Sequence, residues 1–252
     1  MTENYSYRPF VIIGTARTGS TLLWSYLNSH PDVLCLRGVY GSTHKINFGK
    51  FYNSLPEEHY SSELVNHRNE NPLDFLKEYI FKTYSGDYKA IGFKYFYEHD
   101  RHLRNKNELV NYFQENNNLV FIHLIREQLL ATLFSYKRAL AQQQWTTADT
   151  DFKTAISIQE CKVYFQSVLE RRGHFDKLFS ERSIRVVYEN FITNKKSVLN
   201  DVLQFIGAEP TDLKTEMIRN KNKRLSEVIT NFDELKGYFE NSVYEQYFDI
   251  RT

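Results

Sequence analysis

The sequence predicts an α/β fold, a central parallel sheet flanked by helices, and three observations carry that prediction. Short apolar runs alternate with longer stretches of helical periodicity. Two of the runs, Val11-Ile12-Ile13 and Val120-Phe121-Ile122-His123-Leu124-Ile125, are apolar almost throughout, the pattern of strands buried on both faces. The first run stops at Gly14 and passes through a short Gly/Thr/Ser loop into a helical pattern, and strand–loop–helix order is the unit from which parallel sheets are built.

Extended segments are expected over residues 10–14, 33–36, 90–95, 119–125 and 184–188. Helices are expected over 20–29, 72–84, 103–115, 128–142, 152–178 and 197–206. In the first helix Leu22, Leu23, Tyr26 and Leu27 share one face. It stops before His30-Pro31, because the residue preceding a proline is pushed out of the helical region. Residues 38–71 are less regular, with Gly38, Gly41, Gly49, Pro56 and three histidines. They read as a long connection over the sheet, a substrate lid or an acceptor-binding connection. No repeat or linker divides the chain, so residues 1–252 are expected to form a single domain.

Hydrophobic residues make up 41% of the chain, ample for a packed core. With a net charge of +1, nothing argues for nucleic acid or a membrane surface as partner. Two cysteines, Cys35 and Cys161, exclude a disulfide framework and fit a reducing compartment. The polar opening MTENYSYRPF is too short to be a signal peptide, and no apolar run reaches transmembrane length. A soluble, cytoplasmic enzyme or binding protein is the expectation.

The loop after the first strand has the Gly-x4-Gly spacing of a phosphate-binding P-loop, from Gly14 to Gly19, and ends in the hydroxyl of Thr21. Backbone N–H groups at a helix N-terminus attract phosphate or sulfate. Ser20 stands where the P-loop lysine belongs, and the loop's cation is Arg17. A nucleotide triphosphatase needs that lysine on its terminal phosphates, so this loop suits a different anionic nucleotide. A second anion signal follows the strand at 119–125. Arg126 stands at its carboxyl end, where ligands of parallel sheets bind, and the next helix carries Ser135, Lys137 and Arg138. A third basic cluster, Arg219, Lys221, Lys223 and Arg224, lies near the C-terminus. There is no HExxH, no Cys-x-x-Cys and no G-x-S-x-G.

The segment GTARTGSTLLWSYLNSHP resembles the 5′-phosphosulfate loop of sulfotransferases that use 3′-phosphoadenosine-5′-phosphosulfate (PAPS). HLIREQLLATLFSYKRA resembles their 3′-phosphate motif, with Arg126 and Ser135 as the paired ligands at the separation of the bacterial carbohydrate and lipid type, which includes trehalose and nodulation-factor sulfotransferases. AIGFKYFYEH, VVYENFITNKKSVLNDVLQFIGAEP and KNKRLSEVITNFDELKGYF support the resemblance, which runs from about Pro9 to Phe239. It implies a P-loop NTPase-like sulfotransferase fold and transfer of a sulfuryl group from PAPS to a hydroxyl of a small-molecule, glycan or lipid acceptor. Adenosine 3′,5′-bisphosphate (PAP) would be the product, with no metal. Arg17, Thr18, Gly19, Ser20, Thr21 and Leu22 would hold the 5′ end of the nucleotide. Arg126, Ser135, Tyr188, Lys221, Lys223 and Arg224 would complete its site.

Sulfuryl transfer, by analogy with phosphoryl transfer, rests on positioning and charge stabilisation. Arg17 is the expected cation at the bridging oxygen, with Lys94 a second. The resemblance implies a catalytic glutamate just after His30-Pro31, yet no carboxylate occurs from Val33 to Ser54. His44 is the first candidate to replace it as general base, followed by Glu98 and His99. With none of these serving, Arg37 would bind an anionic acceptor. Trp145 is a candidate to stack on adenine or acceptor. Two alternatives remain open at this point: a nucleotide-binding protein of the same fold without turnover, and a kinase-like enzyme using ATP and magnesium.

Overall fold

A computed structural model describes residues 5–42, 45–49, 61–145, 151–217 and 223–249. Its frame is a five-stranded sheet of β1 (Arg8–Gly14), β2 (Val33–Leu36), β3 (Ala90–Phe96), β4 (Val120–Ile125) and β5 (Ser183–Val187). The spatial order is β2-β3-β1-β4-β5, and every pairing is parallel. β1 lies at the centre, with Ile12 opposite Lys94 on one side and Ile122 on the other. The chain leaves β1 toward opposite edges, so a crevice opens beyond its carboxyl end, where such sheets bind ligands.

Alternation of side chains sorts the core into two layers. Val11 and Ile13 face a cluster with Phe93, Phe121, Phe75, Leu109 and Phe175. That layer is built by α2 (Ser62–Glu70), α3 (Pro72–Phe75), α4 (Lys106–Glu115) and the end of α6 (Ile158–Phe179). Phe10 and Ile12 face the opposite layer, with Leu23 and Leu27 of α1 (Ser20–Leu27) and Val198 and Val202 of α8 (Lys195–Phe205). A third cluster joins α5 (Leu129–Gln142) to α6 and to the C-terminal α10 (Phe232–Phe239), around Phe165 and Phe239.

The sheet comes very close to itself at Gly14. A Cβ there would lie 2.3 Å from the Leu124 carbonyl oxygen, a backbone atom that cannot rotate away. Gly14→Ala is therefore expected to cost about 1–3 kcal/mol, read as a lowered melting temperature. An unchanged Tm would mean that β1 and β4 can part here without loss.

The structure shifts several expected boundaries. The helix expected over 72–84 is α3 followed by a π-helical turn at Leu76–Ile80, closed by the Phe81 N–H on the Leu76 carbonyl. The helix expected from 152 starts at Ile158, because Ser157 and Glu160 form a capping box. Thr154 instead bridges Ile229. α4 begins at Lys106 rather than at 103. β5 ends at Val187, and Tyr188 opens the short α7 (Tyr188–Thr193). Within the connection over 38–71, residues 62–70 form α2, capped by the Ser61 hydroxyl on the Leu64 N–H. Residues 43–44 and 50–60 of that connection lie outside the described residues. A further short helix, α9 (Leu225–Val228), and α10 were not expected from periodicity. Among the described residues no helix is long and apolar enough to cross a membrane.

Candidate active site

A cavity of about 900 Å³ lies beyond the carboxyl ends of the central strands. Its floor is the loop between β1 and α1. The loop makes its turn with two left-handed residues, Arg17 at φ 69° and Gly19 at φ 88°. Such a φ is strained for arginine and free for glycine. The Thr18 hydroxyl turns inward and donates to the Thr15 carbonyl at 2.9 Å, so only the backbone of Thr18 remains for a ligand. α1 starts without a side-chain cap and without an acidic residue in its first turn. Ser20, Thr21 and Leu22 line the cavity at this N-terminus, whose dipole favours an anion.

The cation missing from position 20 comes from the neighbouring strand. Lys94 of β3 lies on the same face as α1, and its Nζ donates to Thr21 Oγ1 at 3.2 Å. Burial, and then the charge of Arg37, push its pKa down to about 8.

Arg17 points elsewhere than the sequence implied. Its left-handed backbone carries the side chain toward α5, where Nε donates to Ser135 Oγ at 3.0 Å and Nη1 donates to the Trp145 carbonyl. The Arg17 guanidinium thus lies beside Ser135 of α5, not over the start of α1. Arg126 Nη1 reaches the Arg17 carbonyl at 3.4 Å, and Arg138 lines the same wall. The Arg17 pKa is lowered by burial, then by Arg138 and Arg126. Three guanidinium groups gathered beside a serine hydroxyl suit a dianionic phosphate.

The N-terminus of α5 is engaged differently from that of α1. Glu189, from α7, accepts the N–H groups of Glu127 at 3.0 Å and Gln128 at 3.1 Å. It also stands 3.9 Å from Arg126 Nε. The neighbouring Tyr188 ring lies 4.7 Å below the Arg126 guanidinium and packs so tightly on Gly19 that a Cβ there would come within 2.5 Å of it.

The family model described as sulfotransferase family matches residues 9–212. The chain belongs to the sulfotransferase family. Nodulation protein H of Rhizobium meliloti is 24% identical over 263 residues, covering 96% of this chain and 96% of that protein. Nodulation protein H of Rhizobium tropici is 24% identical over 259 residues, covering 97% and 94%. Among solved structures, a sulfotransferase from Alicyclobacillus acidocaldarius shares the fold, with a TM-score of 0.51 at 14% identity, covering 94% of this chain and 92% of that one. The sulfotransferase transfers a sulfuryl group from PAPS to an acceptor hydroxyl.

Several residues of the sulfotransferase named from sequence meet in this one cavity: Arg17, Gly19, Ser20, Thr21, Leu22, Lys94, Arg126, Ser135 and Tyr188. Lys223 does not join them; it pairs with Asp151. Arg224 is exposed at the start of α9. Lys221 and His44 lie outside the described residues. Trp145 is half exposed on the cavity wall, edge-on to Tyr136.

Of the candidate bases, His99 is partly buried and its Nδ1 accepts the Phe96 N–H at 3.1 Å. Its Nε2 therefore carries the proton and can only donate. Burial holds its pKa down, to about 3. Glu98 lines the cavity. Its Oε1 accepts the Thr15 hydroxyl at 3.1 Å and lies 3.6 Å from Arg171, and its Oε2 is buried with no hydrogen-bond partner. Sequence reasoning passed over the Glu189 cap and Arg172, whose Nη2 donates to the Arg126 carbonyl at 2.6 Å. The cap was adjacent to Tyr188 in VVYEN, but nothing in periodicity pairs it with the start of α5.

Proposed function

We propose that PAPS lies across the cavity with its 5′-phosphosulfate on the loop and its 3′-phosphate at Arg126, Ser135, Arg17 and Arg138. PAPS supplies the activated sulfuryl group, and the chain supplies position and charge. Loop N–H groups and the Ser20 and Thr21 hydroxyls hold the 5′ end. Lys94, rather than Arg17, meets the negative charge that develops there. What supports this most is the pairing of Lys94 with Thr21 at one end and Arg17 with Ser135 at the other. PAP is then the product.

Glu98 is the proposed general base. An unpartnered buried carboxylate oxygen costs about 1–3 kcal/mol, and a hydroxyl donor offsets that cost. The acceptor hydroxyl would give its proton to Oε2 while Thr15 and Arg171 hold Oε1. Glu98→Gln keeps the shape and removes the basicity. It is expected to lower kcat by about 10²–10⁴ while PAP affinity, measured by calorimetry, stays the same. An unaltered kcat removes Glu98 from the mechanism. The acceptor is a hydroxyl-bearing small molecule, glycan or lipid.

A further inference from the structure

The cavity has a second cationic end, at the edge of the sheet away from β4. Arg37 follows β2 directly. Its backbone is tied on both sides, its N–H to the Phe48 carbonyl at 3.3 Å and its carbonyl to the Lys94 N–H at 3.2 Å. Its guanidinium carbon sits 4.3 Å from the centroid of the Trp24 ring. That ring is itself fixed by its indole N–H on the Cys35 carbonyl at 2.7 Å. So the side chain is held in place before any ligand arrives.

Among the described residues Arg37 has no counter-charge. Its Nε is buried with no hydrogen-bond partner. No carboxylate among the described residues forms an ion pair with it. Burial lowers its pKa, and no acidic neighbour among the described residues opposes that. A second positive charge stands close by, since Arg37 contributes to the lowered pKa of Lys94. Arg37 is half-buried, with its Nε fully out of solvent. Withdrawing an unpaired cation even this far from water beside another has a cost, and an anion in the cavity offsets it.

The donor leaves this need unmet. Its 3′-phosphate belongs at the β4 side and its sulfuryl group at Lys94. Arg37 lies beyond, with Gly38, Gly41, the donating Nε2 of His99 and the exposed Arg101 on the same wall. Gly38 is pressed against His99, with a virtual Cβ 3.2 Å from Cε1, so the wall is narrow at this point. We infer that the acceptor carries an oxyanion, a carboxylate or a phosphate ester, close to the hydroxyl that is sulfated, and that Arg37 holds it. A guanidinium fork matches both groups bidentately. This rests on the donor placement above.

The test uses the full chain saturated with PAP, with tryptophan emission as readout because Trp24 touches the site. Inorganic phosphate and acetate are titrated in separate arms at constant ionic strength, and the tighter of the two names the group. A saturable change is expected, weakened about tenfold or more in Arg37→Met and retained in Lys94→Met. No saturable change in either arm overturns the inference. So does a response lost in Lys94→Met but kept in Arg37→Met, which would place the anion where the sulfuryl group goes. A chain that does not bind PAP overturns the donor placement instead, and the preliminary PAP titration separates that failure from the others.

Discussion

Arg126→Ala is expected to weaken PAP binding by about 2–5 kcal/mol, roughly thirtyfold to several thousandfold. The size follows from how the guanidinium is held. Tyr188 supports its face, Glu189 stands beside Nε, and Arg17 offers a carbonyl to Nη1. Its removal takes away a preorganised fork and leaves Glu189 near the phosphate without the intervening cation. Adenosine 5′-phosphosulfate, which lacks the 3′-phosphate, distinguishes loss of a contact from loss of the fold. Its affinity should barely change in the variant. Equal losses for both nucleotides would show that Arg126 matters for architecture alone, and no loss for PAP would place the 3′-phosphate elsewhere.

Lys94→Met should lower kcat by about 10²–10³, the cost of removing one donor aimed at developing charge, while PAP affinity shifts little. The wild-type pH profile carries the same information. Lys94 in the free enzyme loses its proton as pH rises through about 8. The protonated form is the one that attracts the phosphosulfate, so kcat/KM for PAPS falls as pH rises through that value. Lys94→Met has no ammonium to lose, and its profile should be flat over the same interval. A fall that persists in the variant would assign it to another group, and an unchanged kcat would return the leading role to Arg17.

The strands were legible because burial on both faces leaves near-continuous apolar runs, as in Phe10 to Ile13 and Val120 to Ile125. The anion loop was legible from Gly14, Gly19 and the hydroxyls between and after them. Direction was not. Arg17 sits in the loop by sequence, yet its left-handed φ sends the guanidinium to Ser135, 118 positions away in the chain. Conversely, Lys94 looks like an ordinary lysine at a strand end until the register of β3 against β1 brings it beneath Thr21. Helix starts were misjudged where a cap decides them, as Ser157 does for α6. α9 and α10 pack their few apolar residues into a cluster assembled from distant segments, which no local pattern announces.

Tyr188 has a consequence for which nucleotides can enter. One ring touches Gly19 at one anion site and Arg126 at the other. With the donor placed as proposed, the spacing between the two anion positions is set by the width of a phenol. The cavity would then act as a gauge. ATP brings comparable charge, but all of it at one end, and it is expected to bind more weakly than PAP in a calorimetric titration.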